Sequence, residues 1–404
     1  MADIPKTQMG QKITNFFNNT MKDITTLKEE FIGNAIFILI IVLVIILVAY
    51  FYYMYNLNTR ECSLMDALYA NSKNYIAPLD YTKPEAKFLL KDYYIKSAYN
   101  CCSGGSYKND YVSICALKNV IKQGVRGLDF EIYSIDDQPV VATSTVANNY
   151  IKETYNSVPF SDVMSTIVNY GFSGSTAPNS TDPIIIHLRI KSTNQDMLTN
   201  CGQIFKQYDK YMLGSHYSYE YTYANQRVNP DDKTTGNQSF THNLGNVRLT
   251  DLSGNKIIIV VDRINTAFMD NKLFYEYVNM TSNSMFMRAL NYYDVKFTPD
   301  MNELTEYNRQ NMTIVLPDSG SNPENPSGII CREMGCQLVA MRYQQFDANL
   351  EETMLFFDTA GSAFVLKPER LRYLEQTIEP TPENPPELNF ATRSISTDYY
   401  SVQI

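Results

Sequence analysis

Between Glu30 and Arg60 the chain carries no charged residue, and residues 35–50 are almost wholly aliphatic. A helix needs about 20 apolar residues to cross a bilayer core, and residues 31–57 supply them. Tyr50, Phe51, Tyr52, Tyr53 and Tyr55 gather at one end of the run, as an interfacial aromatic belt does. A cleaved signal peptide has a shorter apolar core nearer the N-terminus. The pattern therefore predicts a single membrane helix over 31–57. A polar tail, residues 1–30, precedes it, and a connector over 58–87 with Pro78 and Pro84 follows it.

From residue 88 the pattern changes. Residues 112–121 have helical spacing, and 127–135 alternate as a strand does. The runs 183–190 and 256–262 read as buried strands, and 160–170 and 196–212 between them as amphipathic helices. Strands alternating with helices predict a parallel sheet. Residues 214–248 and 316–328 are polar or Pro/Gly-rich and read as surface loops. Residues 375–404, with four prolines between 380 and 386, read as an extended tail.

Composition narrows the partners. A net charge of -9 on 404 residues argues against nucleic acid. Lys22 and Lys28 precede the apolar run closely, which favours a cytoplasmic or interior N-terminus. All seven cysteines follow it, so disulfides can form if that side is oxidising. The chain has 31 tyrosines and no tryptophan. Abundant Asn, Ile and Tyr fit AT-rich coding, as in a microbe or a large virus.

Four segments carry a family signature. They are residues 94–100 (YIKSAYN), 126–131 (RGLDFE), 335–341 (GCQLVAM) and 364–368 (FVLKP). In this order and spacing the chain resembles the catalytic barrel of eukaryotic-type phosphoinositide-specific phospholipase C. The resemblance covers about residues 88–374, with one half at 88–264 and the other at 285–374. It implies a TIM-like (β/α)8 barrel, here behind a single transmembrane helix.

The family's chemistry implies a calcium ion, two histidines and a basic pocket for the inositol phosphates. Asn100, Asp129 and Glu131 match calcium ligands, with the order of the two acids swapped. The fourth ligand, a glutamate in the family, aligns with Arg189. Arg189 is expected to pair with Asp129 or Glu131 in place of a metal; a remnant calcium site and solvated mouth charges are the alternatives. The two histidine positions align with Tyr99 and Thr143. His187 is expected to be a packed strand histidine, with an improvised base as the alternative. His216 and His242 fall in the polar loop. The headgroup positions align with Val260, Asp262, Ile314 and Leu316, leaving Arg263 as a partial substitute.

These substitutions lead to the expectation of a catalytically inactive pseudoenzyme. It would be a structural or interaction component of a membrane or viral particle, bound to the membrane through residues 31–57 and to a protein partner or its own copies. No cofactor is expected, calcium being the one candidate. Two rivals remain: an active phosphodiesterase on a phospholipid or glycerophosphodiester, and a module that holds a lipid headgroup without cleaving it.

Overall fold

The computed structural model describes residues 6–70, 74–146, 150–214, 217–218, 243–374 and 394–403. Helix α1 spans Lys6–Tyr69. It contains the described stretch long and apolar enough to cross a membrane, with a mean hydropathy of 3.3 and none of that stretch buried. The helix extends into residues expected as tail and as connector. No Gly or Pro interrupts residues 34–69, so nothing in the chain ends the helix there. Its last turns are held by the domain: Leu57, Met65 and Tyr69 are buried, and the Tyr69 hydroxyl donates to the Tyr343 carbonyl at 2.5 Å. Cys62 is disulfide-bonded to Cys115.

The domain is a nearly closed barrel. Its strands are β1 (Tyr93–Ala98), β2 (Gly127–Ile135), β5 (Ile184–Ile190), β6 (Ile257–Asp262), β7 (Met280–Ser282), β8 (Met287–Asn291), β9 (Met312–Leu316) and β10 (Leu338–Met341). Parallel pairing runs β7-β6-β5-β2-β1-β10-β9-β8, and the open seam lies between β7 and β8. A hairpin partner β3 (Gln138–Ala142), a short β4 (Val158–Pro159) and β11 (Phe364–Leu366) flank this path. Helices α2 (Ile114–Lys122), α3 (Phe160–Thr166) and α4 (Gln195–Gln207) pack outside the first half. Residues 394–396 and 401–403 form a separate exposed hairpin. The rest of the expected tail lies outside the described residues, as do His216, His242 and most of the 214–248 loop.

Strand alternation builds the core in two layers. Ile184, Ile186, Leu188 and Ile190 face outward, in one cluster with Leu128, Phe130, Ile132, Val163 and Phe205. Ile185 faces inward with Ile95, Ile258, Val260, Met312, Ile314 and Leu338. A parallel strand covered on both faces therefore reads as a continuous apolar run. Above Ile185, the inward positions of β5 become His187 and Arg189, and those of β2 are Asp129 and Glu131. The barrel is thus apolar below and charged at its C-terminal mouth.

The opposite end is closed by residues of the signature segments. Gln337 donates from Nε2 to the carbonyls of Lys91, Asn308 and Asn311, and its Oε1 accepts from the Thr313 amide at 2.7 Å. Lys367 donates to the Asn308 carbonyl at 2.9 Å. Gly335 sits at φ 78°, a left-handed turn that favours glycine. Residues 243–252, expected as part of a surface loop or just beyond it, also pack here, with Leu244, Val247, Leu249 and Leu252 buried. Their amide and carbonyl groups pair with the chain at Phe88 and Leu90.

Candidate functional site

Parallel register brings the mouth charges together. Asp129 pairs with His187, and Glu131 with Arg189, across β2 and β5. Asn100 follows β1 at φ 43°, a left-handed conformation that asparagine tolerates better than most residues. Asn100, Asp129, Glu131, His187 and Arg189 are all buried.

Arg189 occupies the centre of this group. Its Nε donates to Asp129 Oδ1 at 3.0 Å and its Nη2 to Asp129 Oδ2 at 2.6 Å. Nη1 donates to Glu131 Oε1 at 2.6 Å, and Nη2 also reaches Asn100 Oδ1 at 2.9 Å. The remaining acceptors are also used. Glu131 Oε2 accepts from the Tyr133 hydroxyl at 2.7 Å and the Ser144 amide at 3.0 Å. Asp129 Oδ2 accepts from the Asn100 amide at 3.2 Å. Burial alone would raise the Asp129 carboxyl; the Arg189 charge and the His187 contact outweigh it and hold the carboxyl well below the usual carboxylate range.

His187 is tied at both ring nitrogens. Nδ1 lies 2.7 Å from Asp129 Oδ1 and Nε2 lies 2.8 Å from Ser282 Oγ. No sequence motif marks Ser282; the β6–β7 register brings it there. Tyr99 stacks on the cation, with Arg189 Cζ 4.6 Å from its ring centroid, and meets Tyr107 edge-on at 5.3 Å. Thr143 donates to the Tyr107 carbonyl at 3.0 Å. Both aligned histidine positions are therefore occupied by side chains engaged in packing.

The aligned headgroup positions are uneven. Val260 and Ile314 belong to the apolar interior. Asp262 accepts from the Asn283 side chain at 2.7 Å and the Ile264 amide at 3.1 Å. Arg263 is exposed and does not line the mouth. Leu316, Tyr99, Arg189, Lys191 and Asp262 border a mouth cavity of about 100 Å³. Small-molecule sites commonly enclose about 300–1,000 Å³.

Comparison with known proteins agrees with this architecture. The family model described as phosphatidylinositol-specific phospholipase C, X domain, matches residues 87–231. The Y-domain model of the same family matches residues 264–370. Together they account for more than half of the chain. The chain belongs to the phosphatidylinositol-specific phospholipase C family.

The crystal structure of S. officinalis PLC21 superposes on this phospholipase C-like barrel with a TM-score of 0.50 at 17% identity. The match covers 72% of this chain and 38% of that one. L. pealei PLC21 gives 0.49 at 18% identity, covering 71% and 38%. This chain thus spans well under half the length of either protein. A calcium-dependent phosphoinositol-specific phospholipase C from a Gram-negative bacterium, Pseudomonas sp., gives 0.42 at 9% identity, covering 73% of this chain and all of that one. No curated protein sequence matches the chain.

The family implies calcium, so the donor set can be tested against it. Calcium takes roughly 6–8 oxygen ligands. Here the carboxylate oxygens of Asp129 and Glu131 and Oδ1 of Asn100 are already engaged in hydrogen bonds, half of them with Arg189. A divalent ion would have to share this buried space with a fixed guanidinium. The residues present do not fit calcium.

Proposed function

We propose that the chain is a membrane-anchored, non-hydrolysing phospholipase C-like protein, a structural or interaction component of a membrane or viral particle. The observation that carries this reading is Arg189. Its guanidinium bridges Asn100, Asp129 and Glu131, the residues the resemblance aligns with the metal's ligands. Tyr99 and Thr143 supply no imidazole at the two aligned acid–base positions. One such group typically contributes about 10²–10⁴ in rate. The small mouth cavity supports the same reading.

The anchor reading draws on the exposed apolar run and its tyrosine belt. The Cys62–Cys115 disulfide lies just past that run. Disulfides persist on oxidising faces. It supports a reading with the barrel outside and the N-terminus inside, the direction also favoured by Lys22 and Lys28.

The test is a calcium titration by calorimetry on the full chain in detergent micelles, with Arg189→Glu alongside and phosphatidylinositol turnover followed in parallel. No calcium heat and no turnover are expected for the wild type, and calcium binding for the variant. Calcium-dependent turnover by the wild type would overturn the reading.

A further inference from the structure

A cleft of about 550 Å³ separates the end of the apolar helix from the loop joining β1 to α2. Its lining shares no residue with that of the mouth cavity. Tyr50 and Tyr53 of α1 and Tyr155 of the domain give it aromatic walls. Among the described residues, no ion pair joins its arginines to its acids Glu61 and Asp110.

The cleft holds two acids, Glu61 and Asp110. A Cβ built on Gly105 would strike both carboxylates, so they lie side by side. Asp110 accepts from the backbone amides of Ser106 and Tyr111, both at 2.8 Å. Glu61 Oε2 is buried with no hydrogen-bond partner. Burial and the Asp110 charge push the Glu61 carboxyl up to about 8, as expected of paired acids with too little cation near them.

The cleft also holds two arginines, and Arg60 is close enough to Glu61 to offset part of the rise in its carboxyl. Arg60 donates to the Tyr53 hydroxyl at 3.0 Å and lies over its ring. Arg342 is fully buried and is held by neutral oxygens: the Tyr107 hydroxyl, the Asn322 and Gln345 side chains and the Pro323 carbonyl. Neither arginine forms an ion pair among the described residues. Lys108, also in the cleft wall, is already paired with Glu153 at 2.9 Å.

We infer that this cleft holds one zwitterionic phospholipid headgroup. Its ammonium lies among Glu61, Asp110 and the tyrosines, and its phosphate on the Arg60 side. Carboxylates stabilise an ammonium by charge, and tyrosine faces do so by cation–π attraction. An arginine serves the phosphate. The exposed apolar helix next to the cleft gives the lipid's chains a surface to follow. The inference rests on the anchor reading, which sets the cleft at the level of the headgroups.

The test uses the full chain. Flotation with phosphatidylcholine/phosphatidylglycerol vesicles first reads the anchor by itself; failure to float removes the anchor reading and this inference with it. The chain is then placed in nanodiscs of equal phosphatidylcholine and phosphatidylglycerol, and native mass spectrometry reads the lipid it retains. One retained phosphatidylcholine is expected, enriched about tenfold, the factor that roughly 1.4 kcal/mol of ammonium recognition gives. The enrichment should vanish in Glu61→Gln/Asp110→Asn. Tyr155→Leu, which removes one aromatic wall and keeps both carboxylates, should weaken it and covers the case in which the double variant fails to fold. A floating chain that retains no lipid, retains both lipids equally, or keeps its preference in a folded double variant overturns the inference and leaves the anchor standing.

Discussion

Arg189 grips both oxygens of Asp129, Nε to Oδ1 at 3.0 Å and Nη2 to Oδ2 at 2.6 Å. This forked contact matches the planar guanidinium to the carboxylate. The same cation reaches Glu131 at 2.6 Å, so one positive charge serves two buried acids. Hydrogen bonds from Tyr133, Ser144 and the Asn100 amide serve the oxygen sites Arg189 leaves. The acceptors of the mouth are therefore engaged rather than free to act as ligands, although Asn100 Nδ2 is buried without a partner.

Removing the guanidinium should be costly. Arg189→Ala leaves Asp129 and Glu131 buried with no cation between them. Breaking a buried pair in this way costs about 3–5 kcal/mol. Arg189→Lys should recover only part of that loss, because an ammonium cannot bridge three side chains with a planar fork. Urea unfolding in micelles should rank wild type above Lys and Lys above Ala. An Ala variant as stable as the wild type would remove the structural role given to Arg189.

Acid should weaken the same network. The folded Asp129 carboxyl is held low, whereas in the unfolded chain its pKa returns to about 3.9. Below that pH the unfolded state takes up a proton that the folded state resists. The contribution is thus complete above the unfolded pKa and is lost as pH falls toward the folded one. The melting temperature should be nearly level from about pH 7 to 5 and fall below about pH 4. Asp129→Asn should start lower and fall less steeply. An equal acid slope in both proteins would exclude Asp129 as its source.

How far the sequence revealed this site depended on distance along the chain. Asp129 and Glu131 are two apart on one strand, as are His187 and Arg189 on the next. Strand alternation alone puts each pair inside the barrel. The long strands β5 and β6 were legible because both their faces are covered. Strand β7 is only Met280–Ser282, too short for a period to appear, so the contact between Ser282 and His187 had no sequence signal. The continuation of α1 past residue 57 was equally hidden. Its buried positions Met65 and Tyr69 stand beside the exposed Leu64 and Leu68, so no clean apolar face marks them, and the surface they meet comes from distant segments such as Tyr343. The Glu61–Asp110 cleft depends on that docking, so it could not be read before the fold was known.

The disulfide should tie the helix to the barrel. Cys62 and Cys115 are 53 residues apart in sequence, and closing such a loop stabilises a fold by about 2–4 kcal/mol. Reduction, or Cys115→Ser, should lower the melting temperature and expose the 58–69 segment to protease. The free cysteines Cys101, Cys102, Cys201, Cys331 and Cys336 are buried, so a thiol reagent should label the native protein only after reduction. Unchanged melting on reduction would show that packing at Met65 and Tyr69 is sufficient to hold the helix.

Ser282, His187 and Asp129 follow one another at 2.8 and 2.7 Å, the order of nucleophile, base and orienting acid in serine hydrolases. The surroundings argue for a structural relay. Ser282 has 0% exposure and His187 1%, and neither borders the mouth cavity. Asp129 is also committed to Arg189. An ionised Asp129 can only accept, so Nδ1 donates to it, and the Ser282 hydroxyl completes the ring's hydrogen bonding at Nε2. Ser282→Ala should leave that nitrogen buried and unpaired, a loss of about 1–3 kcal/mol, and should change no hydrolytic rate. A fluorophosphonate probe, which needs an accessible activated serine, should leave the native chain unlabelled. Labelling that disappears in Ser282→Ala would show that the serine can be reached, and the three residues would then have to be read as catalytic machinery.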